Sequence, residues 1–154
     1  MAKPESALTD SELADFQRLA GFMIPASTEF QVPGADDSLI FADIVRSLGR
    51  DEGVVREALA VLSDLAGGGF AQLDEVEAQA LAMAFLGRAG PNIRAMGQAV
   101  LQCYYRDDRV FLALGREPRA PFPVGHKLEQ GDFSLLDAVR DRPWMWRDLD
   151  GTGG

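Results

Sequence analysis

The chain of 154 residues is long enough for one domain, and its hydrophobic content of 47% is enough to fill a core. The formal net charge of −9 argues against nucleic acid or an anionic membrane as the main partner, because both require clustered Lys and Arg. The single cysteine excludes an internal disulfide and a cysteine metal cluster. No apolar run approaches the roughly 20 residues that a membrane-spanning helix needs.

The N-terminal part of the chain has the periodic apolar pattern of amphipathic helices. Thr9 and Glu12 match the capping-box pattern, which predicts the start of a first helix. Pro25 predicts its end, since the residue before a proline disfavours the α region. A turn-rich stretch over residues 27–37 follows, and Ser38 is the predicted cap of a second helix.

A third helix is predicted between two glycine signals. Gly49 is the expected end of the second helix, and the third begins near Asp51 and ends at the glycines of positions 67–69. Its apolar face is expected to consist of Val54, Val55, Ala58, Val61, Leu62 and Leu65.

Three more helices complete the predicted body. Residues 74–88 form an alanine-rich fourth helix, Pro91 or Asn92 opens a fifth, and Asp107 caps a short sixth that stops at Gly115. No run alternates in the manner of a strand. The sequence therefore predicts an all-α protein, a compact bundle of five or six helices over residues 1–115.

Residues 116–154 differ in composition and form a predicted extended, proline-rich tail. The first 103 residues hold 7 basic and 15 acidic side chains, whereas residues 104–154 hold 8 and 9. That second part also contains four of the eight prolines, seven of the 13 arginines, both tyrosines and both tryptophans. Proline fixes an extended path, and Trp, Tyr and Arg are enriched at binding hot spots.

Two interpretations of this tail remain open from the sequence. It either packs back on its own helices, in the same domain, or wraps around a second polypeptide. Under the second interpretation the candidate partner-interface residues are Tyr104, Tyr105, Phe122, Phe133, Trp144 and Trp146.

The sequence offers no recognisable catalytic set. His126 is the only histidine, and no nucleophile motif accompanies it, so a structural or solvated role is expected. The glycines of positions 67–69 are interpreted as a helix linker, and Cys103 as a buried thiol. The pairs Asp36-Asp37 and Asp107-Asp108 each precede a predicted helix and are expected to cap it rather than bind a metal.

The order of features resembles the gluconate 2-dehydrogenase subunit 3 family. The resemblance lies in the stretch ELADFQRLAGFMIPAS of residues 12–27, in Pro33-Gly34-Ala35 before a helix, and in the tail block that starts at Tyr104. Members are small subunits without a cofactor, which accompany a flavin-carrying oxidoreductase of the glucose-methanol-choline type. The twin-arginine signal that members often carry is absent from this sequence.

This resemblance implies a heterodimer in which a larger partner subunit carries FAD and this chain carries neither cofactor nor metal. The implied role is non-catalytic: the chain stabilises the large subunit and assists its maturation, for a reaction at CH–OH groups of a sugar or alcohol. The alternatives are a stand-alone helical adaptor and a small enzyme that uses His126. With no signal peptide or twin arginine in view, a cytoplasmic location is expected rather than a periplasmic one.

Overall fold

The computed structural model describes residues 8–119, Phe122, Gly125 and residues 131–142. The chain divides into two compact units, Met1–Pro118 and Arg119–Gly154. Within the described residues the secondary structure is helical, and the only extended pairing is an isolated bridge between Ser27 and Val32. The all-α prediction is confirmed.

The first helix, α1 (Asp10–Met23), begins and ends where local chemistry predicts. The backbone N–H of Glu12 donates to the Thr9 hydroxyl, and the Thr9 N–H donates to the Glu12 carboxylate, which completes the capping box. Ile24, the residue before Pro25, is the extended C-cap. The chain then turns back, and the Ala35 N–H donates to the Ile24 carbonyl at 2.9 Å.

The second helix, α2 (Ser38–Ser47), is capped by Asp37 and not by Ser38. The Asp37 carboxylate accepts from the N–H groups of Leu39 and Ile40, so Ser38 is already inside the helix. A carboxylate at this position satisfies two otherwise unpaired donors and favours the helix dipole. A 3₁₀ turn, Gly49–Asp51, leads from α2 into α3 (Glu52–Ala66).

The buried face of α3 differs from the prediction at two positions. Val54 is 36% exposed, and Leu59, which was left out of the predicted face, is buried. The buried residues are Val55, Ala58, Leu59 and Leu62. Gly67 ends the helix in the left-handed conformation with φ of 65°, as expected for a C-terminal glycine.

Three further helices follow in the first unit. They are α4 (Glu75–Leu86), capped by Asp74, α5 (Pro91–Tyr104), which begins at its proline, and α6 (Asp108–Ala113), capped by Asp107. Before α4, Phe70–Gln72 form a 3₁₀ turn. The connection between α5 and α6 is only three residues long, so the two helices meet at a tight corner.

The core draws on every helix of the first unit. Among its largest fully buried side chains are Phe16, Phe70 and Phe85, from α1, the 3₁₀ turn and α4. The Phe16 ring meets that of Phe41 edge to face at 5.5 Å. α5 packs against both α2 and α3.

Two charged side chains of α1 hold the 3₁₀ turn before α4. Arg18 donates to the carbonyls of Phe70, Ala71 and Leu73 at 2.6–3.2 Å. Asp15, which is 5% exposed, accepts from the Ala71 N–H at 2.7 Å. These bonds satisfy backbone groups that the short turn leaves unpaired, and they fix the entry to α4.

In the second unit, the described residues 131–142 form a 3₁₀ turn, Phe133–Leu136, followed by a single helical turn, α7 (Asp137–Arg140). The sequence predicted little regular structure in this stretch. The Asp132 carboxylate, which accepts from the Ser134 N–H and hydroxyl, starts the turn. Within the described ranges, no helix combines the length and apolar character that crossing a bilayer requires.

Candidate partner interface at the corner of α5 and α6

The two tyrosines at the end of α5 lie in opposite environments. Tyr104 is 4% exposed, and its hydroxyl donates to the Pro33 carbonyl at 3.1 Å. Its pKa is raised, chiefly by burial. Tyr105 is 49% exposed, and its ring meets the Tyr104 ring edge to face at 5.3 Å. The buried ring thus supports the exposed one from below.

Arg109 fixes the start of α6 against the start of α2. Its guanidinium donates to both carboxylate oxygens of Asp37, at 2.7 and 3.2 Å, and its Nε donates to Asp107 at 2.9 Å. Hydrogen bonds from Arg109 are the main cause that lowers the pKa of Asp37 and of Asp107. Each carboxylate also caps a helix, so one arginine links two N-termini.

Arg106 makes a second link between the corner and α2. Its Nη2 donates to Asp43 at 2.5 Å and to the Ser47 hydroxyl at 2.9 Å. Burial alone would raise the pKa of Asp43, but hydrogen bonds from Arg106 and Arg46 outweigh it and lower that pKa. Because Asp43 and Ser47 lie one turn apart on α2, Arg106 holds the corner along a full helical turn.

Cys103 lies beneath this arginine and is buried, as predicted. Its Sγ is 3.4 Å from the Arg106 Nη2, yet the pKa of the thiol is raised because burial outweighs the nearby positive charge. A thiol with a raised pKa is a poor nucleophile. Cys103 therefore belongs to the packing of α5 and not to a reactive site.

Four large, mainly apolar side chains near the corner are exposed, among exposed polar and charged residues. Leu101, Tyr105, Leu112 and Leu114 are between 45% and 60% exposed, and we call these four residues the corner patch. Leu101 and Tyr105 are four residues apart and share a face of α5. Arg106 and Arg109, both partly exposed, lie between Tyr105 and Leu112 in the sequence. Exposed aromatic and aliphatic side chains beside arginines are typical of protein–protein interfaces.

The six predicted interface residues have different positions in the structure. Tyr104 is inside the body, whereas Tyr105 is exposed in the corner patch. Phe122 and Phe133, in the second unit, are 86% and 63% exposed. Trp144 and Trp146, and the histidine His126, lie outside the described residues.

Other candidate sites are accounted for by local structure. Each Asp pair contains one cap: Asp37 caps α2 in place of the predicted Ser38, and Asp107 caps α6, as predicted. The glycines of positions 67–69 connect α3 to a 3₁₀ turn and do not follow a strand, so they lack the setting of a phosphate loop. Among the described residues, no group of three His, Cys, Asp or Glu side chains is arranged to hold a metal ion.

Sequence reasoning missed Arg106, Arg109 and the leucines of the corner patch. Arg109 and Asp37 are 72 residues apart in the sequence, so no local sequence pattern predicts their ion pair. The exposure of the leucines could have been predicted from helical periodicity. Leu101 lies outside the buried face of α5 that contains Val100, and Leu112 lies outside the buried face of α6 that contains Val110.

The chain matches no protein-family model, no curated protein and no solved structure. The resemblance described above therefore rests on its own sequence features.

Proposed function

We propose that this chain is the cofactor-free small subunit of a heterodimeric, FAD-dependent oxidoreductase that acts on CH–OH groups. In this role it binds a larger flavoprotein of the glucose-methanol-choline type, stabilises it and assists its maturation. The proposal includes a cytoplasmic location, which cell fractionation tests.

The observation that carries the proposal is the corner patch. Four large apolar side chains are exposed on a part of the body that the ion pairs of Arg106 and Arg109 and the buried Tyr104 ring attach to the core. A preorganised patch loses little conformational entropy when a partner covers it. The family resemblance suggests the identity of that partner. Tyr105 belongs both to the corner patch and to the tail block that carries the resemblance.

Affinity purification of the tagged full-length chain from its native host tests the proposal. The expected result is a larger chain in about 1:1 ratio that shows the visible absorption of oxidised flavin and oxidises a sugar or alcohol. Copurification of a partner without flavin, or of no partner, contradicts it.

Variants of the corner patch give the matched comparison. Tyr105→Ala and Leu112→Ala are expected to reduce the yield of the flavoprotein, whereas Val54→Ala, on the exposed edge of α3, is not. Circular dichroism of each variant confirms that the helical content is unchanged. If Val54→Ala reduces the yield as much as the patch variants do, the patch is not the interface.

Substitution of His126 tests the alternative function, a small enzyme that uses this histidine. We expect His126→Ala to leave most of the activity of the purified complex intact. A positioned general base contributes about 10²–10⁴-fold to a rate, so a loss of that size with flavin content unchanged favours a catalytic role.

A further inference from the structure

The solvent side of α4 carries an apolar stripe that Glu77 and Gln79 border. Ala78, Ala82 and Phe85 point into the core, and on the opposite side Val76 and Met83 are 79% and 69% exposed. Ala80, Ala84 and Gly87 complete that outer face and are exposed as well. An apolar face of a helix is normally packed against another element. We call the exposed residues Val76, Ala80, Met83 and Ala84 the α4 face.

An open cavity of about 430 Å³ adjoins the α4 face. Glu75 and Gln79 of α4 form one wall, and Gln79 lies one helical turn before Met83, so the cavity borders the α4 face. The opposite wall comes from the end of α1 and the loop after it, and its residues are Phe22, Pro25, Ala26 and Asp36. The cavity thus combines apolar walls with two carboxylates.

The charge in this cavity is not balanced. Arg18 also lines it, but its guanidinium is engaged by three carbonyls and by Glu75 at 3.3 Å. Asp36 is exposed and takes part in no ion pair among the described residues. One positive and two negative side chains leave the lining with one uncompensated negative charge.

Two glycines set the position of the Asp36 carboxylate. A Cβ at Gly21 would lie 3.0 Å from the Asp36 Cγ, and a Cβ at Gly34 would lie 2.3 Å from its Oδ1. The Asp36 carbonyl also accepts from the Gln17 side chain at 2.8 Å. The carboxylate is therefore seated against α1 at the cavity wall.

We propose that the α4 face and this cavity together bind an apolar, helix-forming segment of another polypeptide, which inserts an Arg or Lys side chain between Asp36 and Glu75. The apolar residues of the segment cover Val76 and Met83. The methylene groups of its basic side chain lie against Phe22 and Pro25, and its charge compensates Asp36.

Charge selects this occupant over a second copy of the chain. Each copy carries a net charge of −9, and a symmetric pair formed through α4 brings two acidic cavities together. The inference does not depend on the partner being a flavoprotein. The α4 face also lies on a different helix from the corner patch.

Site-specific photocrosslinking in the native host tests the inference with the full-length chain. A photoreactive benzoylphenylalanine replaces Met83, and in a control chain it replaces Gln98, an exposed residue of α5. Mass spectrometry then identifies the crosslinked peptide. The expected result at position 83 is an apolar helical segment of a different polypeptide with an Arg or Lys within two helical turns of the crosslink.

Substitutions in the same chain test the charge and the apolar contact separately. Asp36→Asn is expected to lower the crosslink yield about two- to fivefold, the range for a partly exposed ion pair, whereas Asp64→Asn on α3 leaves it unchanged. Val76→Glu is expected to lower it tenfold or more, and circular dichroism verifies that each variant remains folded.

Four outcomes overturn the inference: no crosslink at position 83, a crosslink to a second copy, a crosslink to residues 120–154 of the same chain, or a yield that Asp36→Asn does not change. A crosslinked partner without flavin contradicts the proposed function and leaves this inference standing. A flavoprotein that copurifies but fails to crosslink at position 83 contradicts this inference and leaves the proposed function standing.

Discussion

Arg109 holds both carboxylate oxygens of Asp37 although 72 residues separate the two in the chain. The same guanidinium bonds Asp107, so the caps of α2 and α6 share one cation. The corner that carries the candidate interface is therefore tied to the body by residues that also start its helices.

Substitutions of Asp37 separate capping from ion pairing. Asp37→Asn keeps a side chain that caps and loses the ion pair, so we expect the free energy of unfolding to fall by about 0.5 kcal/mol. Asp37→Ala loses both contributions and is expected to cost about 1.5 kcal/mol. Urea unfolding measures both values. Equal losses for the two variants show that the cap contributes nothing.

The lowered pKa values of Asp37 and Asp107 predict a loss of stability in acid. Both pKa values lie below the ordinary value of 3.8, so the unfolded chain binds protons first as the pH falls. Their contribution is complete above the unfolded pKa and disappears as the pH drops through the folded pKa.

The measurement compares wild type with the Asp37→Asn, Asp107→Asn double variant between pH 6 and about pH 2.5. The stability difference between them is expected to shrink below about pH 4, and the comparison cancels the general effect of the acidic net charge. A difference that stays constant over this range contradicts the assignment.

How far the sequence predicts this structure depends on the distance over which each signal acts. The capping box at Thr9, the stop before Pro25 and the left-handed Gly67 are local, and each was predicted correctly. Ser38 was wrong as a cap because Asp37 keeps non-helical backbone with ψ of 134°, and two adjacent polar residues do not reveal which of them leaves the helix.

The candidate sites depend on contacts that no local pattern encodes. The pairing of Arg109 with Asp37 and the bonds of Arg18 to a turn more than 50 residues away require the tertiary fold. The sequence does indicate an apolar outer face on α4, because Val76 and Met83 are seven residues, or about two helical turns, apart. Its exposure follows only from which side packs on the core.

Arg18→Met is expected to destabilise the body by about 2 kcal/mol. The substitution keeps the apolar stem but leaves three carbonyls of the turn before α4 without their donor, at a cost of about 1–3 kcal/mol. Glu75→Gln is the control, because its carboxylate is 78% exposed and its loss should cost under about 0.5 kcal/mol. If the two variants lose comparable stability in thermal unfolding, the effect of Arg18→Met comes from the loss of the Arg18–Glu75 ion pair instead.

The Cys103 thiol is expected to react with iodoacetamide at pH 8 on the order of 100-fold more slowly in the native protein than in urea. It is 3% exposed and has a raised pKa, so reaction requires local opening. A Cys103→Ala, Met83→Cys variant provides the exposed comparison and should react at the rate of a free peptide thiol. Fast native reaction of Cys103 would show that the end of α5 opens readily.

Removal of residues 119–154 tests whether the tail belongs to the core or to an interface. The first unit ends at Pro118 and contains the buried core described above, so the truncated chain is expected to keep its helical signal and melt within a few degrees of the full chain. If the tail wraps around the partner, the same truncation abolishes copurification of the larger subunit. A collapsed helical signal indicates instead that the tail packs on its own body.

The two tryptophans then locate the anchor within the tail. Trp144→Ala and Trp146→Ala, made singly in the full chain, are compared by affinity for the partner and by melting temperature. A hot-spot tryptophan contributes about 2 kcal/mol, which is about a 30-fold loss of affinity without a shift of the chain's own melting point. A lowered melting point with unchanged affinity assigns that tryptophan to internal packing. If neither quantity changes in either variant, the partner contact lies on the body, where Tyr105→Ala provides the corresponding measurement.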